Sequence, residues 1–283
     1  MKKLFSVVLA ALMVAALFAG CGSSTAETKA TETTAAPATE AAAPAETEAP
    51  AETEAAAAFT TIEAGKLIMS TNAAFPPYEM VADDGSFEGI DVEIAGAIAK
   101  KLGLELVVDD MDFDAALLAV QQGKSDIVMA GVTVNEDRKM VMNFSDTYSK
   151  GVQVVIVKEG SDVTLDNLGD QMIGTQRGTT GCIYTSDDYG EDHVTAYDNG
   201  ASAVQALMNG QVDCVVIDSA PAEAFVEANP GLTILDTEYT SEDYAIGMSK
   251  DNTALLEAVN AALAELTADG TIPAIVEKYI PTK

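Results

Sequence analysis

The chain has 283 residues, with 45 acidic against 15 basic side chains, one histidine and a formal net charge of −30. The acidic excess persists when residues 1–58 are set aside, and no basic patch interrupts it, which argues against a nucleic-acid partner. The single histidine, His193, lies in the polar stretch Gly190-Glu191-Asp192-His193 and reads as a surface residue. No Ser/His/Asp set or metal cluster is visible, so neither a cofactor nor hydrolytic chemistry is expected.

Lys2 and Lys3 precede an apolar run from Leu4 to Ala19. That run falls a little short of the roughly 20 residues a spanning helix needs, and its flanks suit an export signal over 1–20. It ends in Leu17-Phe18-Ala19-Gly20-Cys21, which resembles the lipobox of bacterial lipoproteins, although Phe18 stands where that pattern most often has leucine. The resemblance implies cleavage before Cys21 and a lipid on the new N-terminus; an ordinary signal with an incidental cysteine is the other reading. Residues 21–58 are almost entirely Ala, Thr, Glu, Pro and Ser. Such a segment has too little apolar surface to offset the entropy of ordering, so it reads as a tether between membrane and globular body.

From residue 59 onward, strand-like and helix-like runs alternate. Lys66–Ser70 reads as a strand, and Asp83-Asp84-Gly85-Ser86 as the turn of a hairpin. Ile90, Ile94, Ala97 and Ile98 share a helical face that ends at Gly103. A strand over Leu104–Val108, a helix marked by Phe113, Ala116, Leu117 and Val120, and a strand over Asp126–Met129 follow. The same rhythm restarts at Gln153–Val157 and passes through strand Met172–Gly174, helices near 181–188 and Ala201–Met208, strand Val212–Ile217 and a helix after Pro221. Leu255, Val259, Ala262, Leu263 and Leu266 keep a 3.6-residue period in a helical tail. Two α/β units are therefore expected. If the tail returns to the first unit, the chain crosses between units twice, at 148–152 and 240–244, and two crossings make a hinge. Cys182 and Cys214 fall at opposite ends of their elements, too far apart for a disulfide, so two free thiols are expected.

The loops that follow strand ends carry the candidate chemistry. Asn72-Ala73-Ala74-Phe75-Pro76-Pro77-Tyr78 is stiffened by two prolines and offers two aromatics to a cleft or to the core. In Gly131-Val132-Thr133-Val134-Asn135-Glu136-Asp137-Arg138, Asn135 suits an N-cap, and Arg138 sits in the first helical turn, where a cation is disfavoured. Either a bound carboxylate meets its guanidinium fork, or Arg138 pairs with Glu136 or Asp137. Gln176-Arg177-Gly178-Thr179-Thr180-Gly181 opens a helix and offers backbone and hydroxyl donors to an anion, without the Lys-Ser/Thr ending of a nucleotide loop. Asp218 ends an apolar strand and is equally suited to an ammonium partner or to capping the next helix.

These motifs, with Gly89-Ile90-Asp91-Val92-Glu93-Ile94, Met111-Asp112-Phe113 and Asn143-Phe144-Ser145-Asp146-Thr147-Tyr148, occur in an order that resembles the polar-amino-acid family of extracellular solute-binding proteins serving ATP-driven (ABC) importers. The resemblance implies an α/β, two-lobed periplasmic-binding-protein-like (type II) fold, with a two-strand hinge and a ligand cleft between lobes. Lobe 1 would comprise 59–147 and 245–283, the hinge 148–152 and 240–244, and lobe 2 153–239. It further implies that Arg138, Thr133, Thr179 and Thr180 grip the ligand carboxylate, that Asp218 and the Gly131 carbonyl take the ammonium, and that Phe75 and Phe113 sandwich the side chain. Tyr78 and Gln176 complete the expected site. Members taking basic amino acids carry an acid where Asn72 stands, which points to a neutral polar ligand; Glu79 and Asp112 lie near enough to serve a basic one. The implied protein is a lipid-anchored, extracytoplasmic monomer that delivers its amino acid to a membrane permease. Two other readings are a secreted enzyme resembling cyclohexadienyl dehydratases and a sensor acting on a separate membrane receptor.

Overall fold

The computed structural model describes residues 59–236 and 238–281. The export signal over 1–20, the lipid attachment at Cys21 and the tether to residue 58 lie outside the described residues. Strands β1 (Lys66–Thr71), β2 (Ala74–Phe75), β3 (Glu79–Val81) and β4 (Phe87–Glu88) come first, then α1 (Ile90–Lys101), β5 (Glu105–Asp110), α2 (Phe113–Gln121), β6 (Ile127–Val128) and α3 (Glu136–Val141). The long β7 (Met142–Lys158) leads into β8 (Ile173–Gln176), α4 (Thr180–Tyr189), β9 (Val194–Tyr197), α5 (Gly200–Met208), β10 (Cys214–Asp218), α6 (Ser219–Ala228) and β11 (Leu232–Ile234). The chain closes with β12 (Thr240–Ser249), α7 (Thr253–Ala268) and α8 (Thr271–Tyr279).

One sheet runs in the order β5-β1-β6-β12-β7-β10-β8-β9, with β11 also on β7, and β2-β3-β4 form a small second sheet. At one end β1 is parallel to β5 and β6; at the other β8 is parallel to β9 and β10. Such strands are covered on both faces, and the alternation shows it. Val215 and Ile217 of β10 enter the main core, whereas Cys214 and Val216 enter a separate cluster with Leu168 and Ile173. In the same way Ile127 of β6 faces the main core and Val128 a cluster around Phe113 and Val120.

The two halves are joined by antiparallel pairing of β7 with β12, with Ser241 opposite Val152, Asp243 opposite Lys150 and Tyr244 opposite Ser149. The segments expected as crossings therefore pair with each other, and they are strand rather than loop. Sequence alone shows a strand only over Gln153–Val157, because the polar run before it finds its hydrogen-bond partners some ninety residues away. Elsewhere, α6 begins at Ser219 rather than after Pro221, which occupies its first turn, and β6 is shorter than Asp126–Met129. The short strands β9 and β11 and the helix α8 were not anticipated. Both terminal helices pack on α1: Lys101 pairs with Glu265 at 2.8 Å, and the Tyr279 hydroxyl donates to Glu93 at 2.6 Å. No helix among the described residues is long and apolar enough to cross a membrane.

Candidate functional site

Loops at the C-terminal ends of β1, β6, β8 and β10 converge on one cavity, with roughly 410 Å³ of non-atom space that includes open solvent. Its wall includes Asn72, Phe75, Phe113, Gly131, Thr133 and Arg138 on one side. Gln176, Thr179, Thr180 and Asp218 contribute the other.

Arg138 is positioned by α3. The Asn135 side chain caps that helix by accepting from the Arg138 amide at 2.8 Å. The guanidinium donates to the Thr133 carbonyl at 2.9 Å and the Gly178 carbonyl at 3.1 Å, and lies 5.4 Å from the centre of the Phe113 ring. Only 7 % of Arg138 is exposed, and no carboxylate lies within ion-pair distance of it among the described residues. Glu136, one candidate partner, is engaged by Lys139 at 2.9 Å. Burial lowers the Arg138 pKa, opposed mainly by the field of Glu242. A buried cation with two carbonyl partners and no anion is poised to receive one.

Facing it is the N-terminus of α4. Thr179 caps that helix, its hydroxyl accepting from the Cys182 amide at 3.3 Å while donating to the Gln176 carbonyl at 2.8 Å. The first amides of such a helix lack intrahelical partners and suit an anion. The Thr180 hydroxyl lies 3.4 Å from that of Thr133. Gly178, at φ 76°, makes the turn that brings its carbonyl to Arg138.

Asp218 takes the capping role foreseen for it and also lines the cavity. Its Oδ1 accepts from the Ala220 amide at 3.1 Å, capping α6, and its Oδ2 accepts from the Val152 amide at 2.7 Å. Burial raises its pKa to about 6, against the lowering effect of those amides and of the Tyr244 hydroxyl. Gly131 has φ 55°, and a Cβ there would sit 3.0 Å from Phe75 and 3.2 Å from Tyr244, so glycine alone lets the two aromatics approach. At the remaining end Gln176 Nε2 donates to Asn72 Oδ1 at 2.9 Å, and Asn72 Nδ2 to the Met111 carbonyl at 2.8 Å.

Residues 67–282 match the bacterial extracellular solute-binding proteins, family 3. The chain belongs to that family. It is 30% identical over 228 residues to the ABC transporter arginine-binding protein 1 of Escherichia coli K12, covering 79% of this chain and 94% of that one. It is 33% identical over 231 residues to a probable histidine-binding protein of Neisseria gonorrhoeae, covering 79% and 86%. Among solved structures, an ancestral arginine-binding protein bound to glutamine superposes with a TM-score of 0.74 at 39% identity, over 77% of this chain and 99% of that one. The architecture is accordingly that of the two-lobed amino-acid-binding proteins, and the relatives of this family member are binding proteins rather than enzymes.

Of the expected site residues, Tyr78 alone does not line the cavity. It is 1 % exposed behind Phe75, with ring centres 5.9 Å apart, and its hydroxyl meets that of Ser149 at 3.3 Å. The wall also contains Glu79, Gln153, Ile217 and Tyr244. Glu79 was considered only as a reserve partner for a basic ligand; Gln153 and Tyr244 carry no motif and reach the site through the β7–β12 pairing. Buried Glu242 was missed altogether: its Oε2 accepts from Thr133 at 3.0 Å and from Gln153 at 3.0 Å. Asp112 precedes α2 and lies outside the wall. Cys182 and Cys214 are unpaired thiols, as expected. The His193 ring meets the Gln171 carbonyl at 3.3 Å, away from the cavity.

Proposed function

We propose that this solute-binding protein is the extracytoplasmic component of an ABC amino-acid importer. In this reading it is held at the membrane by a lipid on Cys21 and the 21–58 tether, acts as a monomer, and closes on one L-amino acid to present it to the permease. The observation that carries the reading is the buried Arg138 guanidinium, without a carboxylate partner among the described residues, across a cavity from the buried carboxyl of Asp218. One cation and one carboxyl in a common cavity are the complement of a zwitterion.

In this assignment Arg138, the Thr133 and Thr180 hydroxyls and the donors at Thr179 take the ligand carboxylate. Asp218 and the Gly131 carbonyl take the ammonium, Phe75 and Phe113 flank the side chain, and Tyr78 supports Phe75 from behind. The Asn72–Gln176 amide pair favours a polar, neutral side chain, since an amide donates and accepts but cannot neutralise a cation. We assign 59–147 with 245–283 to lobe 1 and 153–239 to lobe 2, with 148–152 and 240–244 as the hinge. The pairing of those two segments in β7 and β12 supports this division. Ligand contacts drawn from both lobes exist only in the closed form, which is the differential interaction closure requires.

Thermal shifts of protein freed of carried-over ligand, recorded with a panel of amino acids, test the reading. A ligand at a hundredfold excess over its Kd stabilises the native state by about 2.7 kcal/mol, so a true ligand is conspicuous. The expected result is a shift with one or a few L-amino acids that Arg138→Ala and Asp218→Ala each abolish. No shift with any amino acid would refute it. Release of the protein from the membrane fraction by Cys21→Ser tests the anchor.

A further inference from the structure

We infer that Glu242 is a built-in rival of the ligand carboxylate: it holds the one hydroxyl proton of Thr133 that an incoming carboxylate also needs, and so weakens the grip on the amino acid. This rests on the zwitterion reading above and adds to it a positioning residue that acts through Thr133.

Glu242 lies on β12 opposite Gly151 of β7 and is 7 % exposed, and it is not itself part of the cavity wall. Its Oε2 accepts from the Thr133 hydroxyl at 3.0 Å and from Gln153 Nε2 at 3.0 Å. A threonine hydroxyl has a single proton and a carboxylate only accepts, so the Thr133 proton points at Glu242 and away from the cavity. The Thr180 hydroxyl, 3.4 Å from that of Thr133, is then left as the donor of that pair. Both hydroxyls assigned to the ligand carboxylate thus direct their protons along a chain that ends on Glu242. The other carboxylate oxygen, Oε1, is buried and meets no hydrogen-bond donor among the described residues. No lysine or arginine among them forms an ion pair with Glu242 either: Lys150 pairs with Asp243 and Lys139 with Glu136. A carboxylate so poorly supplied does not give up a donor readily.

When an amino acid reaches Arg138, its carboxylate takes the Thr133 proton only by stripping it from Glu242. One carboxylate replaces another at the hydroxyl, so the exchange yields little net free energy. The two anions also share the field of one guanidinium, for Glu242 already favours the charged form of Arg138. The clamp is therefore looser than its parts allow, and it releases faster, which suits a protein that hands its cargo on.

Glu242→Gln tests this. The glutamine amide can donate to the Thr133 oxygen and accept from Gln153, which returns the Thr133 proton to the cavity and removes the competing charge. Calorimetry with L-glutamine and its α-amide, and with L-arginine and its α-amide, separates the effect on the carboxylate from any other. We expect Glu242→Gln to bind the free amino acid about tenfold more tightly while leaving the α-amide unchanged. A purely structural Glu242 would lower stability and leave the ratio of acid to amide where it was. An unchanged or lower ratio in the folded variant would overturn the inference, and the zwitterion reading would stand. Thr133→Val decides the matter even should Glu242→Gln fail to fold. In an otherwise unmutated protein it is expected to cost the free amino acid less than about threefold relative to its amide, because the hydroxyl only trades one carboxylate for another. A loss of about tenfold or more would show a proton freely given to the ligand, and would overturn the inference as well. Failure of every amino acid to bind would instead remove the zwitterion reading itself.

Discussion

Acidification is expected to loosen the bound amino acid through Asp218. The carboxyl ends β10 at 1 % exposure, and its burial raises the pKa from 3.8 to about 6. Only its ionised form attracts the ligand ammonium. With a pKa of about 6, roughly nine-tenths of the sites are ionised near pH 7 and roughly one in eleven near pH 5, so affinity falls about tenfold between them. The stability of the empty protein moves the opposite way. Its folded-state pKa is raised, so the folded state holds the proton more tightly. This carboxyl therefore leaves stability intact below about pH 4 and removes on the order of 3 kcal/mol as pH rises through about 6. A ligand ammonium offsets that loss, so the ligand-induced thermal shift should grow with pH over the same window. Calorimetric titration of the best-bound amino acid from about pH 5 to about pH 7.5, in the natural protein and in Asp218→Asn, measures the effect. The variant should bind weakly with a flat profile. A flat profile in the natural protein, or an unchanged slope in the variant, would refute the assignment of the ammonium to Asp218.

Arg138→Lys keeps the charge but not the fork that holds the Thr133 and Gly178 carbonyls, so ligand affinity should fall about 10- to 100-fold in calorimetry. The carbonyl left unpaired should lower stability by about 1–3 kcal/mol in urea titration. Gly151→Ala places a Cβ 2.5 Å from Tyr244 Cζ and 2.7 Å from Asp218 Oδ2. It should cost about 1–3 kcal/mol and abolish the ligand-induced thermal shift, whereas an unchanged shift would show that Tyr244 and Asp218 can move aside without loss. Burial pushes the Cys214 thiol up to about 12, so in a Cys21→Ser background Ellman's reagent should find Cys214 unreactive in the native protein and reactive in urea.

Much of this architecture was legible in the order of residues because the signals are local. Asn135 caps α3, Thr179 caps α4 and Asp218 caps α6, and each candidate loop follows a strand whose apolar residues already mark it. Charge conflict within one turn drew attention to Arg138, while leaving open whether it met a bound carboxylate or paired with Glu136 or Asp137. The resemblance then assigned roles that isolated loops left open between cap and clamp, and the structure has Asp218 capping a helix from within the cavity wall. What stayed hidden depends on partners far along the chain. Tyr78 and Phe75 are neighbours in one motif, yet only packing against Ser149 and Tyr244 turns Tyr78 away from the cavity.

By itself, then, the sequence determined the helices other than α8, the parallel strands other than β9, and the residues that cap and line their loops, since helical periodicity, turn glycines and N-caps act within a few residues. The tertiary structure decided the β7–β12 pairing, which brings Gln153 and Tyr244 into the cavity wall with Arg138 and buries Glu242 against Thr133 and Gln153. That arrangement is written in no local pattern, because these residues find their partners across strands some ninety residues apart.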